Sequence, residues 1–380
     1  MKHQRGFTLI ELMVGVALGL LATVVISQVF LQSEENKRST TSGNDAAVNG
    51  ALAMFMIQRD VQTAGYGMLS GLKNGLGCPL TATYNGVKVL DPVARPTTDL
   101  LAPVVITKGA SASVSDSITI MSSSTTGYSV PMKVTTAHAQ SDASFTVAST
   151  YGVAVGDLMV AVPPTWGAGN GCTLFRATAT LTTTQIPHAV TSPSWNSSTS
   201  SDMPTAGYPT AVYPIDSSAL INLGPAPNDK MVRRTYSIDT KMTLQSSDLV
   251  ASSGTAQVRS LFPQVVLIKA LYGKATVVGG AVTAYNDTAP TLVEDWQKVQ
   301  TIRVVLVARS GQYSKDVVTA SAPLWEVGPL ATATGAATCY TSSKCITLDL
   351  SGTGAANEWK HYRYKVYDSV MPLRNVVWNQ

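Results

Sequence analysis

Four histidines, His3, His138, His188 and His361, are the side chains best suited to metal ligation or to proton transfer near neutral pH. None falls in an HExxH or CxxH arrangement, and their separations match no short metal-ligand spacing. Asp287, Glu294 and Asp295 offer carboxylates to a cation, but no EF-hand series of acids surrounds them. No GxSxG elbow marks a serine nucleophile, and no glycine loop is built to cradle phosphate. Arg303, Arg309, Arg363 and Lys365 are expected to form ion pairs on sheet faces or to meet solvent. Cys78, Cys172, Cys339 and Cys345 form no CxxC pair. Their even number suits disulfides outside the cytosol, and four cysteines leave three pairings open. The simplest closes a short loop between Cys339 and Cys345 and a long one between Cys78 and Cys172. The expectation is a chain without catalytic residues, cofactor or metal.

One titratable group is chemically out of place. Between Phe7 and Leu31 the only formally charged residue is Glu11. At about 1.5 Å per residue, a helix of this length crosses a hydrocarbon layer of about 30 Å. Lys2 and Arg5 precede the run, and Glu34, Glu35, Lys37 and Arg38 follow it. The charge bias keeps the short leader in the cytoplasm and sends the bulk of the chain across the membrane. The run is long and lacks a small-residue cleavage site at its far end, unlike an ordinary secretory signal. A carboxylate one turn into such a segment is costly unless paired, and the expected partner lies outside the segment. Gly15 and Gly19 form a small-xxx-small spacing suited to close helix packing.

The elements that must position these groups follow from periodicity. Val48, Leu52, Phe55 and Met56, then Ile57, Val61 and Ala64, recur at three- and four-residue spacing and extend the helix to about residue 66. Ser42, Gly43 and Asn44 mark an expected break or cap within it. Arg59 shares a face with Thr63 and is placed to bond near the helix end. Gly65, Gly67, Gly71, Gly75 and Gly77 close the pattern. Strand-like runs follow at 88–90, 104–106, 117–121, 145–147 and 157–162. Residues 163–229 show little regular pattern. Strand signals resume at 232–238 and 265–273, a segment at 296–310 opens helically, and a basic-aromatic strand spans 359–367. There Tyr362, Tyr364 and Val366 face one way while Arg363, Lys365 and Tyr367 face the other. Only 13% of the 380 residues are charged and the net charge of +4 is dispersed. No basic stripe interleaved with aromatics supports nucleic-acid binding.

The segment Arg5-Gly6-Phe7-Thr8-Leu9-Ile10-Glu11 resembles the processing site of type IV prepilins and type II secretion pseudopilins. The resemblance implies that a prepilin peptidase cuts between Gly6 and Phe7 and methylates Phe7, and that Glu11 meets the terminal amine of a neighbouring subunit. His3 would leave with the leader. Three further stretches resemble PilW-type minor pilins: Arg59 to Tyr66, the Leu271-Tyr272-Gly273 strand with Trp296 and 302–310, and the ending Pro372-Leu373-Arg374-Asn375. The implied fold is α+β, a long N-terminal helix packed on an antiparallel β-sheet head with a large β/loop insertion. Its expected parts are a leader at 1–6, a membrane and fibre-core half-helix at 7–31, an amphipathic half-helix at 32–66 and a head at 67–380. Residues 78–230 form the variable insertion. The implied function is that of a minor pilin that starts pilus assembly near the fibre tip. Implied partners are the major pilin, other minor pilins, a PilY-type tip adhesin, the peptidase and the inner-membrane assembly platform. The implied location is the inner membrane with the head in the periplasm, then the pilus tip at the cell surface. Two other readings compete: a J-type pseudopilin of type II secretion, and a membrane-tethered extracytoplasmic enzyme or binding protein. Asn196 and Asn286 head N-glycan acceptor patterns, with no modification expected in the bacterial host that the resemblance implies.

Overall fold

The computed structural model describes residues 8–68, 75–125, 130–139, 142–166, 171–178, 181–189, 195–196 and 213–378. Helix α1 runs unbroken over Leu9–Thr63, 55 residues. It passes through Ser42, Gly43 and Asn44, where a break was expected. Each of these residues costs a helix about 1 kcal/mol or less, and ordered turns on both sides propagate through them. Gly65 and Gly67, both at positive φ, stop it. Gly71 lies outside the described residues.

Strands follow in chain order: β1 (Cys78–Tyr84), β2 (Val87–Leu90), β3 (Leu100–Leu101), β4 (Val104–Thr107), β5 (Ser117–Met121), β6 (Met132–Lys133) and β7 (Ser144–Thr146). Next come β8 (Leu158–Val162), β9 (Cys172–Arg176), β10 (Gln185–Pro187), β11 (Ala219–Gly224), β12 (Lys230–Ile238), β13 (Thr243–Val250) and β14 (Ala256–Pro263). The chain ends with β15 (Val265–Ala275), β16 (Val282–Asn286), α2 (Val293–Gln297), β17 (Val299–Arg309), β18 (Leu324–Gly328), β19 (Ala337–Tyr340), β20 (Ser343–Thr347), β21 (Tyr364–Pro372) and α3 (Arg374–Trp378).

The head is a set of mostly antiparallel sheets. A four-stranded sheet in the order β16-β15-β17-β21 lies under the C-terminal half of α1. A five-stranded sheet, β14-β13-β12-β5-β4, stands beside it. A seven-stranded sheet runs β2-β1-β9-β8-β11-β6 with β3 on β1, and its β1–β9 pairing is parallel. A β7–β10 pair and the three-stranded β18-β20-β19 complete the head. The largest apolar core joins the buried face of α1 to the four- and five-stranded sheets. A second surrounds Phe145, Phe175 and Tyr213, and a third packs Trp325, Val327 and Leu348 against Val305 and Val307.

The described residues of 163–229 are more regular than their composition suggests, since β9 and β11 are inner strands of the seven-stranded sheet; much of the rest, including 197–212, lies outside the described residues. Every residue of β11 is buried, so the strand shows no in-out alternation. The helical opening expected at 296–310 is the short α2, and β17 begins at Val299. The C-terminal strand starts later than expected, because Glu358–His361 forms a 3-10 turn and β21 spans Tyr364–Pro372. Cys78 bonds to Cys172 and Cys339 to Cys345. The first bridge fastens β1 to β9 inside a sheet, and the second closes the β19–β20 hairpin.

Candidate assembly site

The N-terminal part of α1 lacks apolar cover. Leu9–Glu34 is long and apolar enough to cross a membrane, and none of it is buried by the head. Two hydroxyls within this stretch are satisfied locally. The Thr23 hydroxyl donates to the Gly19 carbonyl at 2.5 Å, and Ser27 to the Thr23 carbonyl at 2.8 Å. Such back-bonding hides hydroxyls in an apolar setting. Nothing lies near the α-carbons of Gly15 or Gly19, so both leave an open surface for a neighbouring helix.

Glu11 lies in the first turn and closes a capping box with Thr8. Thr8 donates to Glu11 Oε2 through its backbone N–H at 3.1 Å and its hydroxyl at 3.0 Å, while Glu11 N–H donates to Thr8 Oγ1 at 3.3 Å. Thr8 is therefore a hydrogen-bond partner for this acid within the segment. Thr8 supplies two hydrogen bonds, although it brings no compensating charge. Gly6 and Phe7, the expected cleavage residues, lie outside the described residues, as does His3.

The C-terminal half of α1 is seated by small residues. Ala46, Ala53, Met54, Ile57, Val61 and Ala64 are buried, and Gly50 lies against the ring of Tyr367 on β21. Of the expected apolar face, Ile57, Val61 and Ala64 point inward. Val48, Leu52 and Phe55 remain 55%, 47% and 63% exposed and form a second stripe. The two stripes have the same period but different phase. A close seat on a sheet selects the phase carrying Ala and Gly.

Polar contacts hold this seat. Tyr367 donates its hydroxyl to the Ala47 carbonyl at 2.6 Å. Asp60 accepts from Arg234 Nη1 at 2.8 Å and from the Tyr236 hydroxyl at 2.7 Å, and Arg234 Nε donates to Asp248 at 2.7 Å. Hydrogen bonds to Asp248 and Asp60 keep the Arg234 guanidinium firmly protonated against partial burial. Burial, reinforced by Asp60, pushes the Tyr236 hydroxyl up from its ordinary range. At the helix end Asn375 Nδ2 donates to the carbonyls of Thr63 at 3.3 Å and Ala64 at 2.9 Å. Arg59, expected near this end, instead points outward beside Asp60 at 3.4 Å. Trp296 packs over Gly77, whose positive φ leaves its open side to the ring, and meets Tyr272 edge to face at 5.8 Å. Thus Tyr272, Trp296, Tyr367 and Asn375, far apart in sequence, converge on one helix and its exit.

The sequence reading missed Asp60, Arg234 and Tyr236. A signal existed: Asp60 shares a helix face with Ile57, Val61 and Ala64, and an acid on an apolar face demands a cationic partner. The Arg233-Arg234 doublet in β12 supplies it.

Other candidates are structural. Asp287 accepts from Lys108 and from Thr334 N, and Asp295 pairs with Lys298. Arg303 grips Asp368 with two bonds, and Arg309 lies 4.1 Å from the Tyr362 ring centroid and bonds Gln264. Asn196 is buried and bonds the backbone of Arg176, which closes it to a glycan. His138 and His188 meet in the second core with Nε2 atoms 2.9 Å apart. Among the described residues no group of three or more His, Cys, Asp or Glu side chains is placed to hold a metal.

Two family models match the chain. The one described as Type IV Pilus-assembly protein W covers residues 227–375, the portion holding β12 to β21. The prokaryotic N-terminal methylation motif covers residues 1–27. No curated protein and no solved structure matches.

Proposed function

We propose that this chain, whose residues 227–375 match the PilW family model and whose start matches the N-terminal methylation motif, is a non-enzymatic minor pilin anchored in the membrane by α1, and that it primes pilus assembly and sits at or near the fibre tip. The observation that carries the reading is the split character of α1. Its first half is apolar and wholly uncovered, while its second half is locked to the head by Asp60, Tyr367 and Asn375. Such a helix satisfies its surface first in lipid and then among the helices of neighbouring subunits.

In this reading the prepilin peptidase cleaves between Gly6 and Phe7 and methylates Phe7. Glu11 then exchanges its contact with Thr8 for the terminal amine of an adjacent subunit, which matches charge with charge inside an apolar bundle. Residues 32–66 carry the anchor into the head, whose strands before residue 227 lie outside the family match. Bulk of this size fits the end of a fibre, where no further subunit stacks above it. A tip position places the head against other minor pilins and a PilY-type adhesin, and the major pilin follows below. Before assembly the head faces the periplasm; afterwards it reaches the cell surface.

The test is the Glu11→Ala variant, followed by mass analysis of the processed N-terminus and by quantification in sheared fibres. Normal leader removal with depleted fibre incorporation is expected. Normal fibre loading overturns the role of Glu11. Immunogold labelling of the wild-type head should mark fibre ends, and labelling along the shaft overturns the tip assignment.

A further inference from the structure

A cavity of about 400 Å³ opens on the five-stranded sheet beside the last turn of α1. Four cations line it, Lys230, Arg233, Arg234 and Arg259, against two acids, Asp60 and Asp248. The acids are already engaged. Asp248 takes Arg234 at 2.7 Å and Lys230 at 3.4 Å, and Asp60 takes Arg234. Arg233 keeps only 15% of its side-chain exposure and turns to Asp99 at 3.0 Å. That carboxylate also serves Arg95 at 2.7 Å. Burial pushes the Arg233 guanidinium down from its ordinary value; Asp99 opposes the push and Arg95 adds to it. Arg259, on the edge strand β14, is exposed, and its side chain makes no ion pair or hydrogen bond among the described residues. Arg233 also donates to the Thr98 carbonyl at 3.3 Å, so the cavity cation left without a side-chain partner among the described residues is Arg259 at the rim.

The occupant follows from position and size. Asp60 lies 26 residues beyond Glu34, the end of the membrane-spanning stretch. At about 1.5 Å per residue this is about 39 Å along the helix, beyond the reach of a lipid headgroup. A single small ion displaces little more than a water, whose share of liquid is about 30 Å³, so it would leave most of the cavity unfilled. An open sheet edge at β14 gives an extended chain access.

We propose that this cavity receives carboxylate side chains from an acidic segment of another pilus subunit, with Arg259 making the first contact. The inference rests on the reading of the chain as a fibre subunit and adds a specific contact to it. Full-length protein in detergent should bind a labelled hexaglutamate peptide, read by fluorescence anisotropy. Arg259→Glu should weaken binding about tenfold, with Arg259→Gln intermediate. Equal binding by the wild type and Arg259→Glu overturns the proposal, as does displacement of the peptide by inorganic phosphate at matched concentration. Arg259 is exposed, so neither variant threatens the fold. In cells, a photo-crosslinking residue at Gln257 should join the chain to an acidic stretch of another subunit within sheared fibres. Adducts to lipid alone overturn the occupant. Peptide binding with the predicted Arg259 dependence, in a chain absent from fibres, leaves the anion site standing and defeats the fibre reading.

Discussion

The ring of Tyr367 fills the notch that Gly50 leaves in α1, and a methyl group at Gly50 would overlap that ring. The same side chain donates its hydroxyl to the Ala47 carbonyl one turn earlier. Gly50→Ala should therefore destabilise the head by about 1–3 kcal/mol through overpacking. Tyr367→Phe keeps the packing and should cost about 1 kcal/mol for the lost hydrogen bond. In Gly50→Ala/Tyr367→Ala the overlap is gone, and its cost should be clearly less than the sum for Gly50→Ala and Tyr367→Ala alone, which with the wild type complete the cycle. Denaturant unfolding of the detergent-solubilised chain measures all four states. Strict additivity would show that the contact does not form.

Two stripes of α1 carry different tasks. Ile57 is fully buried, and Ile57→Ala should cost about 2–5 kcal/mol. Phe55 is exposed on the other stripe, and Phe55→Ala should change stability by about 0.5 kcal/mol or less. Phe55→Ala should nevertheless lower recovery in sheared fibres, because Val48, Leu52 and Phe55 continue the uncovered face of the anchor. Wild-type recovery of this variant would remove the second stripe from assembly.

The long helix, its exit and many of the strands were legible because each has a local cause: an apolar period, a glycine stop, or an apolar, often β-branched run between turn residues. Ile57, Val61 and Ala64 were legible for the same reason. The phase of the upstream stripe was not, since only the approach of β21 selects Ala46, Gly50 and Ala53 over Val48, Leu52 and Phe55. β9 and β11 were hidden because, unlike the equally buried β8, neither carries a continuous run of apolar residues, and both lie within long Ser- and Thr-rich surroundings. Of the assembly site, Glu11 was legible as an acid in an apolar run, whereas its Thr8 contacts required the cap geometry. Asp60 with Arg234 and Tyr236 joins residues more than 170 positions apart, a distance at which sequence spacing is silent.

The two disulfides should differ in their contribution. Cys78 and Cys172 are separated by 94 positions and Cys339 and Cys345 by 6. By loop-closure entropy the first restricts the unfolded chain by about 4–5 kcal/mol and the second by about 2 kcal/mol. Cys78→Ala/Cys172→Ala should accordingly lower the unfolding midpoint well beyond Cys339→Ala/Cys345→Ala. Comparable midpoints for the two double variants would mean that the entropy of the unfolded chain does not set the difference.

The His138–His188 pair predicts acid sensitivity in the second core. The rings lie among Phe145, Phe175 and Tyr213, and His138 stacks on Phe145 with centroids 3.8 Å apart. Burial pushes both imidazoles down from 6.5 to about 4; proximity to His138 lowers His188 further, and Asp142 raises both only in part. One neutral ring donates to the other across 2.9 Å, an arrangement that two imidazolium rings cannot make. The folded state therefore binds fewer protons than the unfolded state between the two values. The contribution is fully present above about pH 6.5 and is lost as the pH falls through about 4. At pH 5 the loss is on the order of 2 kcal/mol per ring. Denaturant unfolding at pH 7.5 and pH 5 should show this decline in the wild type. His138→Phe leaves one titrating ring in place of two and should show roughly half of it. An equal decline in both proteins would place the acid sensitivity elsewhere in the chain.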